Sequence, residues 1–206
     1  MLKARHHWFL FPFFKHHAFR LIRKHFATVC LCGEKQQWNK SVLLVANHIS
    51  WWDGFWALYL NQKVFKKRFH VMMLEEQLRK HRYFNYCGAY SVAKKSRSIV
   101  QSLHYTNELL SDAGNMVLFF PQGEIQSMHV KEFSFEKGLT KLLEQQNDKF
   151  ELVFTAAVCD YFSNKKASLW LYYKKMSFQE LSKKSLSEQY SAFYAESLEQ
   201  HIRKKS

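Results

Sequence analysis

Six short apolar runs limit how this chain can fold more than any other feature: SVLLVA at 41–46, FHVMM at 69–73, AYSVA at 89–93, MVLFF at 116–120, LVFTAAV at 152–158 and SLWLYY at 168–173. Each has the length and the β-branched or aromatic content of a strand. Between them the pattern changes to helical spacing. Ile99, Leu103, Thr106, Leu109 and Leu110 mark one amphipathic face, Leu139, Leu142 and Leu143 a second, and Tyr190, Phe193, Tyr194, Leu198 and Ile202 a third. Strands that alternate with helices predict an α/β fold, a mixed, largely parallel sheet flanked by helices. With only 6 Gly and 2 Pro in 206 residues no flexible linker divides the chain, so a single domain is expected, preceded by an N-terminal amphipathic helical segment. The Ser- and Lys-rich stretch 177–187 is expected to be the loosest part.

That segment, MLKARHHWFLFPFFKHHAFRLIRKHF, mixes aromatic and basic residues, and its longest uncharged apolar run is the 7 residues Trp8 to Phe14. Seven residues cannot cross a bilayer, and no signal-peptide cleavage site follows. Beyond Pro12, Phe13, Phe14, His17, Ala18, Leu21, Ile22 and His25 recur at helical intervals with Lys15, Arg20, Arg23 and Lys24 between them. Such a helix either lies on a membrane or docks its apolar face on the domain. The expected division is 1–34 as a membrane-associating segment and 35–206 as the α/β domain.

Lys and Arg number 31 against 17 acidic residues, a formal charge of +14, which favours anionic partners. An aromatic content of 17% with 6 Trp turns that preference toward an anionic membrane surface, whereas no recognised nucleic-acid motif appears. A peripheral position on the cytoplasmic face of a membrane is therefore expected. The competing reading is a non-catalytic basic protein that binds anionic lipid or nucleic acid. Cys30, Cys32, Cys87 and Cys159 lack CxxC spacing and read as small buried hydrophobes in a reducing compartment. His6, His7, His16 and His17 lack interspersed acidic or thiol ligands, so no metal is expected.

Active sites of open α/β sheets gather at the carboxyl ends of strands, and two polar turns are predicted there. In ANHISWWD, His48 follows a strand and Asp53 opens the helical DGFWALYL. A carboxylate folded back onto one imidazole nitrogen fixes the tautomer and frees the other nitrogen as a general base. Asp53 as a simple helix cap is the alternative. In FFPQGEI, Pro121 and Gly123 turn the chain sharply after a strand and can present backbone N–H groups to an anionic oxygen. Ser50 lies near His48, but a GxSxG elbow is missing, which disfavours a covalent serine mechanism.

These blocks resemble the glycerolipid acyltransferase family, which includes the lysophosphatidate acyltransferases. The family's NH-x4-D motif is read here as Asn47, His48 and Asp53, and its FPEG-T-R block as Phe120, Pro121, Gln122, Gly123, Glu124 and Ile125. The downstream F-K-x-G block is similar to Phe135, Glu136, Lys137, Gly138; GAYSVAKKSR resembles the second block, with Lys94 at the arginine place and Arg97 close behind; and LVFTAAV resembles the fourth without its proline. The resemblance implies transfer of a fatty acyl group from acyl-CoA or acyl carrier protein to a lysophospholipid or related lipid acceptor, without a metal or resident cofactor. His48 would be the base and Asp53 its orienter. Asn47 and the N–H groups around Gly123 would steady the turn and the oxyanion, and Lys94 and Arg97 would grip a phosphate. Ile125 stands where the family carries a phosphate-contacting arginine, Gln122 replaces the glutamate, and Glu124 would repel a phosphate. A head group other than that of lysophosphatidate is expected, such as another lysophospholipid or an amino-acid-containing lipid.

Overall fold

The computed structural model describes residues 1–93, 96–136, 140, 142–143, 149–177 and 184–204, with the backbone alone at 96–98. Its centre is a seven-stranded sheet of β1 (Val29–Cys32), β2 (Val42–Ala46), β3 (Arg68–Leu74), β4 (Ala89–Val92), β5 (Asn115–Phe119), β6 (Glu151–Asp160) and β7 (Ser168–Met176). The spatial order is β1-β7-β6-β2-β5-β3-β4. Five neighbouring pairs are parallel and the sixth, β6 with β7, is antiparallel, so the expected mixed and largely parallel sheet is what forms.

The side-chain alternation of the central strands explains why both faces must be covered. Val42, Leu44 and Ala46 of β2 point into one apolar layer with Met116 and Leu118 of β5, while Leu43, Val45, Val117 and Phe119 point into the other. On the first face lie α1 (Leu10–His25) and α2 (Asp53–Leu60); α4 (Ser96–Leu110) and α5 (Leu186–Ile202) cover the second, and α3 (Glu75–Lys80) packs on β3 and β4. Ser185 and Glu188 form a capping box at the start of α5. A π-helical turn, Asn61–Phe65, continues α2, and buried Asn61 closes it by bonding both the N–H and the carbonyl of Lys67.

Each of the six sequence runs lies in or overlaps a strand, shifted by a residue or more at most ends. The edge strand β1 escapes the sequence reading because its four residues are all half-buried and carry no alternation. It falls within 1–34, so that stretch supplies a strand to the sheet as well as a helix. Ala18 and Ile22 of α1 are fully buried in the first layer. Ahead of α1, Leu2, Arg5 and His7 bond the backbone or side chains of residues 85–91. All four cysteines are free. Leu142 and Leu143 are helical, but Leu139 lies outside the described residues, as do 178–183 within the stretch expected to be loose.

Candidate active site at the β2 and β5 ends

β2 and β5 pair in register from Val42–Met116 to Val45–Phe119, so the turns that follow them emerge side by side. Local forces shape each turn, and cross-bonds lock them together. Asp53 sits in the first turn of α2, and its Oδ2 accepts from the backbone N–H of Ile49 (2.7 Å) and of Ser50 (2.9 Å). The same oxygen accepts from Nδ1 of His48 at 2.7 Å. The N-cap position belongs to Trp52, which makes no side-chain cap bond, so Asp53 is not the helix cap: its carboxylate ties the turn that leads into α2 and fixes the imidazole.

The second turn grips the first. The N–H of His48 donates to Oε1 of Gln122 at 2.6 Å, and the N–H of Gln126 donates to the His48 carbonyl at 2.8 Å. Nε2 of Gln122 donates to Oε1 of Gln126 at 2.7 Å, closing the ring of contacts. Phe120 stacks flat on the imidazole, with centroids 4.2 Å apart and planes 18° from parallel. Held by Asp53, Phe120 and its own backbone, His48 has one orientation. Its side chain keeps 25% of its surface exposed, and its Nε2 makes no hydrogen bond among the described residues. The arrangement can accept a proton from a solvent-side hydroxyl.

Gly123 has φ +71°, a left-handed conformation in which a side chain is strained, and that conformation makes the sharp turn possible. Its N–H donates to the Phe120 carbonyl at 3.2 Å, so it is spent on the turn rather than offered to an oxyanion. Asn47 also differs from expectation. It is 2% exposed, and its Oδ1 accepts from the N–H of Ala157 at 3.1 Å, so it ties the end of β2 to β6 from inside. Pro121 and Gln122 are buried, whereas Glu124 is exposed and accepts from Gln126 at 3.3 Å. Lys94 and the side chain of Arg97 lie outside the described residues, as do Lys137 and Gly138. Gln126 was not legible in the sequence: a glutamine four places after another on an irregular turn carries no periodic signal.

Among the described residues no group of His, Cys, Asp and Glu is arranged to hold a metal ion. The Cys159 thiol, near Asp53, is pushed up to about 12 by burial, so it is no nucleophile at neutral pH.

The acyltransferase family model matches residues 19–159, more than half of the chain, and spans both turns. A search of curated proteins finds no match. Among solved structures, the 1-acyl-sn-glycerophosphate (LPA) acyltransferase PlsC from Thermotoga maritima superposes with a TM-score of 0.59. It is 16% identical over 95% of this chain and 81% of its own, a likeness of fold.

Proposed function

The chain belongs to the acyltransferase family, and on that premise we propose that it moves a fatty acyl group from an acyl thioester, acyl-CoA or acyl carrier protein, to a lysophospholipid or related lipid acceptor. His48 is the general base in this reading. The observation that carries it is the 2.7 Å bond from Nδ1 of His48 to Asp53, which leaves Nε2 on the open side of the site. Nε2 takes the proton of the acceptor hydroxyl as its oxygen attacks the thioester carbonyl. The tetrahedral intermediate then collapses, the C–S bond breaks, and the departing thiolate receives that proton back from the imidazolium. No acyl-enzyme forms. Asp53 keeps the ring in the tautomer that both proton transfers require.

The acceptor of the Thermotoga protein is named in its description as 1-acyl-sn-glycerophosphate. For this chain, Ile125 and exposed Glu124 on the second turn favour a head group that donates hydrogen bonds over a bare phosphomonoester.

Membrane attachment is part of the proposal. Trp8 is 83% exposed, Phe13 63%, Trp51 62% and Phe9 57%. Trp51 belongs to the His48–Asp53 turn and packs on buried Phe55, which in turn stacks on Phe14 of α1, so a buried aromatic contact joins the exposed Trp51 at the rim of the site to the helix that carries Phe13. Among the described residues no helix is long and apolar enough to cross a membrane. Peripheral binding through these exposed aromatics, helped by basic residues at about 1 kcal/mol each near an anionic surface, would present the site to its lipid substrate.

The decisive experiment is His48→Ala with acyl-CoA or acyl carrier protein as donor and a panel of lysophospholipids as acceptors. A folded variant should lose about 10²- to 10⁴-fold in turnover; wild-type turnover would refute the base. Removing residues 1–26 would also strip core residues Ala18, Ile22 and Phe26, so Trp8→Ser, Phe9→Ser and Phe13→Ser together are the cleaner membrane test. Sedimentation with phosphatidylcholine–phosphatidylglycerol vesicles should fall, and undiminished binding would count against that attachment.

A further inference from the structure

Behind the His48–Asp53 pair, three buried polar atoms have no hydrogen-bond partner: Oδ1 of Asp53, Nδ2 of Asn47 and Nε1 of Trp56. Their residues are 4%, 2% and 3% exposed. Asn47, Asp53 and Trp56, with Thr155 and Ala157, line one cavity of about 20 Å³ between α2 and strands β2 and β6. Three unpaired polar atoms on residues that line one small space are more than a native interior tolerates without an occupant.

We propose that this cavity is the binding site of a single water molecule that holds Asp53 from behind and so positions the His48–Asp53 pair. The positioning role rests on the reading of His48 as the base; the occupancy does not. Size selects the ligand first, because one water needs roughly 10–15 Å³ and little more space is present. Charge and donor count select it again. The Trp56 indole N–H and the Asn47 amide N–H₂ are donors, which repel a cation, and the Asp53 carboxylate repels an anion. The Asn47 amide cannot turn to present its oxygen, because Oδ1 is already held by the N–H of Ala157. A water molecule satisfies the whole set by accepting from Trp56 and Asn47 and donating to Oδ1 of Asp53. Its second O–H can donate to Oγ1 of Thr155, whose own proton goes to the Tyr172 carbonyl at 2.9 Å. With Oδ2 engaged by His48, Ile49 and Ser50 and Oδ1 by the water, the carboxylate is fixed at both oxygens.

Two measurements on the full chain decide the matter without reference to activity. A crystal structure fine enough to show ordered solvent should contain one peak within about 3.2 Å of all three atoms. The Trp56 indole proton should show cross-relaxation in NMR to a long-lived bound water. A cavity without such a peak, or one whose density and short contacts identify a metal ion, overturns the proposal. Trp56→Phe then tests the role. It deletes one donor, and turnover should fall about five-fold with the donor KM unchanged, while Asp53 adopts a second rotamer. A rise in KM at wild-type kcat, or kinetics like wild type with Asp53 unmoved, overturns the positioning role. If Trp56→Phe does not fold, the wild-type density and the indole signal still decide occupancy. If His48→Ala instead retains full turnover while the water is seen, the base assignment fails and the water site stands.

Discussion

Two histidines on neighbouring parts of the same sheet meet opposite fates. His48, at the end of β2, has one nitrogen on a carboxylate and the other toward solvent. His70, within β3, is 3% exposed; its Nε2 donates to the Asn115 side-chain carbonyl at 3.2 Å, and its Nδ1 is buried without a partner. The His6 ring packs edge-on against His70 at 4.8 Å. Burial, with the nearby His6 adding to it, lowers the pKa of His70 from 6.5 to about 4. A polar partner alone therefore does not keep a ring nitrogen open to a reacting proton. What separates the two rings is the partner's charge and a free nitrogen with a path to solvent.

The largest expected effects break that comparison at the site. Asp53→Asn should cost about 10²-fold or more in turnover, since an amide cannot hold the same tautomer, whereas His70→Phe should leave turnover within a few-fold of wild type. Steady-state kinetics on both purified variants checks this; equal losses would mean that the two rings are not functionally distinct.

Stability should show the opposite pattern. His70 is neutral in the folded protein, while in the unfolded chain it gains a proton below its ordinary 6.5; stability is therefore lost as pH falls from 6.5 toward about 4 and loses no more from this group below that. The loss attributable to this ring is about 3 kcal/mol, so in urea titrations the stability that wild type loses between pH 7 and pH 4.5 should exceed the loss of His70→Phe by most of that amount. Parallel pH dependence in the two proteins would assign the acid sensitivity elsewhere. Near the same ring, Gly88 has φ +96°, and a Cβ there would collide with the Phe69 carbonyl and the His6 ring. Gly88→Ala should cost about 2 kcal/mol or more in a denaturation midpoint experiment.

The smallest effect belongs to the site's own turn. Gly123 has φ +71°, but a Cβ there would approach the Glu136 side chain no closer than 3.4 Å. Only backbone strain opposes Gly123→Ala, so about 1 kcal/mol of stability should be lost. Activity should fall more than stability implies if the turn sets the His48 ring through Gln122.

Much of this contrast was visible in the chain. The NH-x4-D spacing pointed to His48 and Asp53 because both ends of that contact are local, five residues apart. The runs at 41–46 and 116–120 announced strands because fully buried strands are continuously apolar. His70 gave no warning: in FHVMM it reads as one polar residue in a strand, and its partners His6 and Asn115 are 64 and 45 positions away. The inward turn of Asn47 was hidden for the same reason, since its partner Ala157 is 110 residues on. Lys94 and Arg97, singled out by motif, gain no placement among the described side chains.

By itself the sequence determined six of the seven strands, though not β1, and the carboxylate–imidazole contact, because hydrophobic period and a five-residue turn are short-range properties of the chain. Only the tertiary structure decided that β2 lies beside β5, that Gln122 reaches His48 across 74 residues, and that one histidine is sealed while the other stays open. Those outcomes depend on which apolar faces bury each other, and that is a property of the assembled sheet and helices rather than of any one stretch.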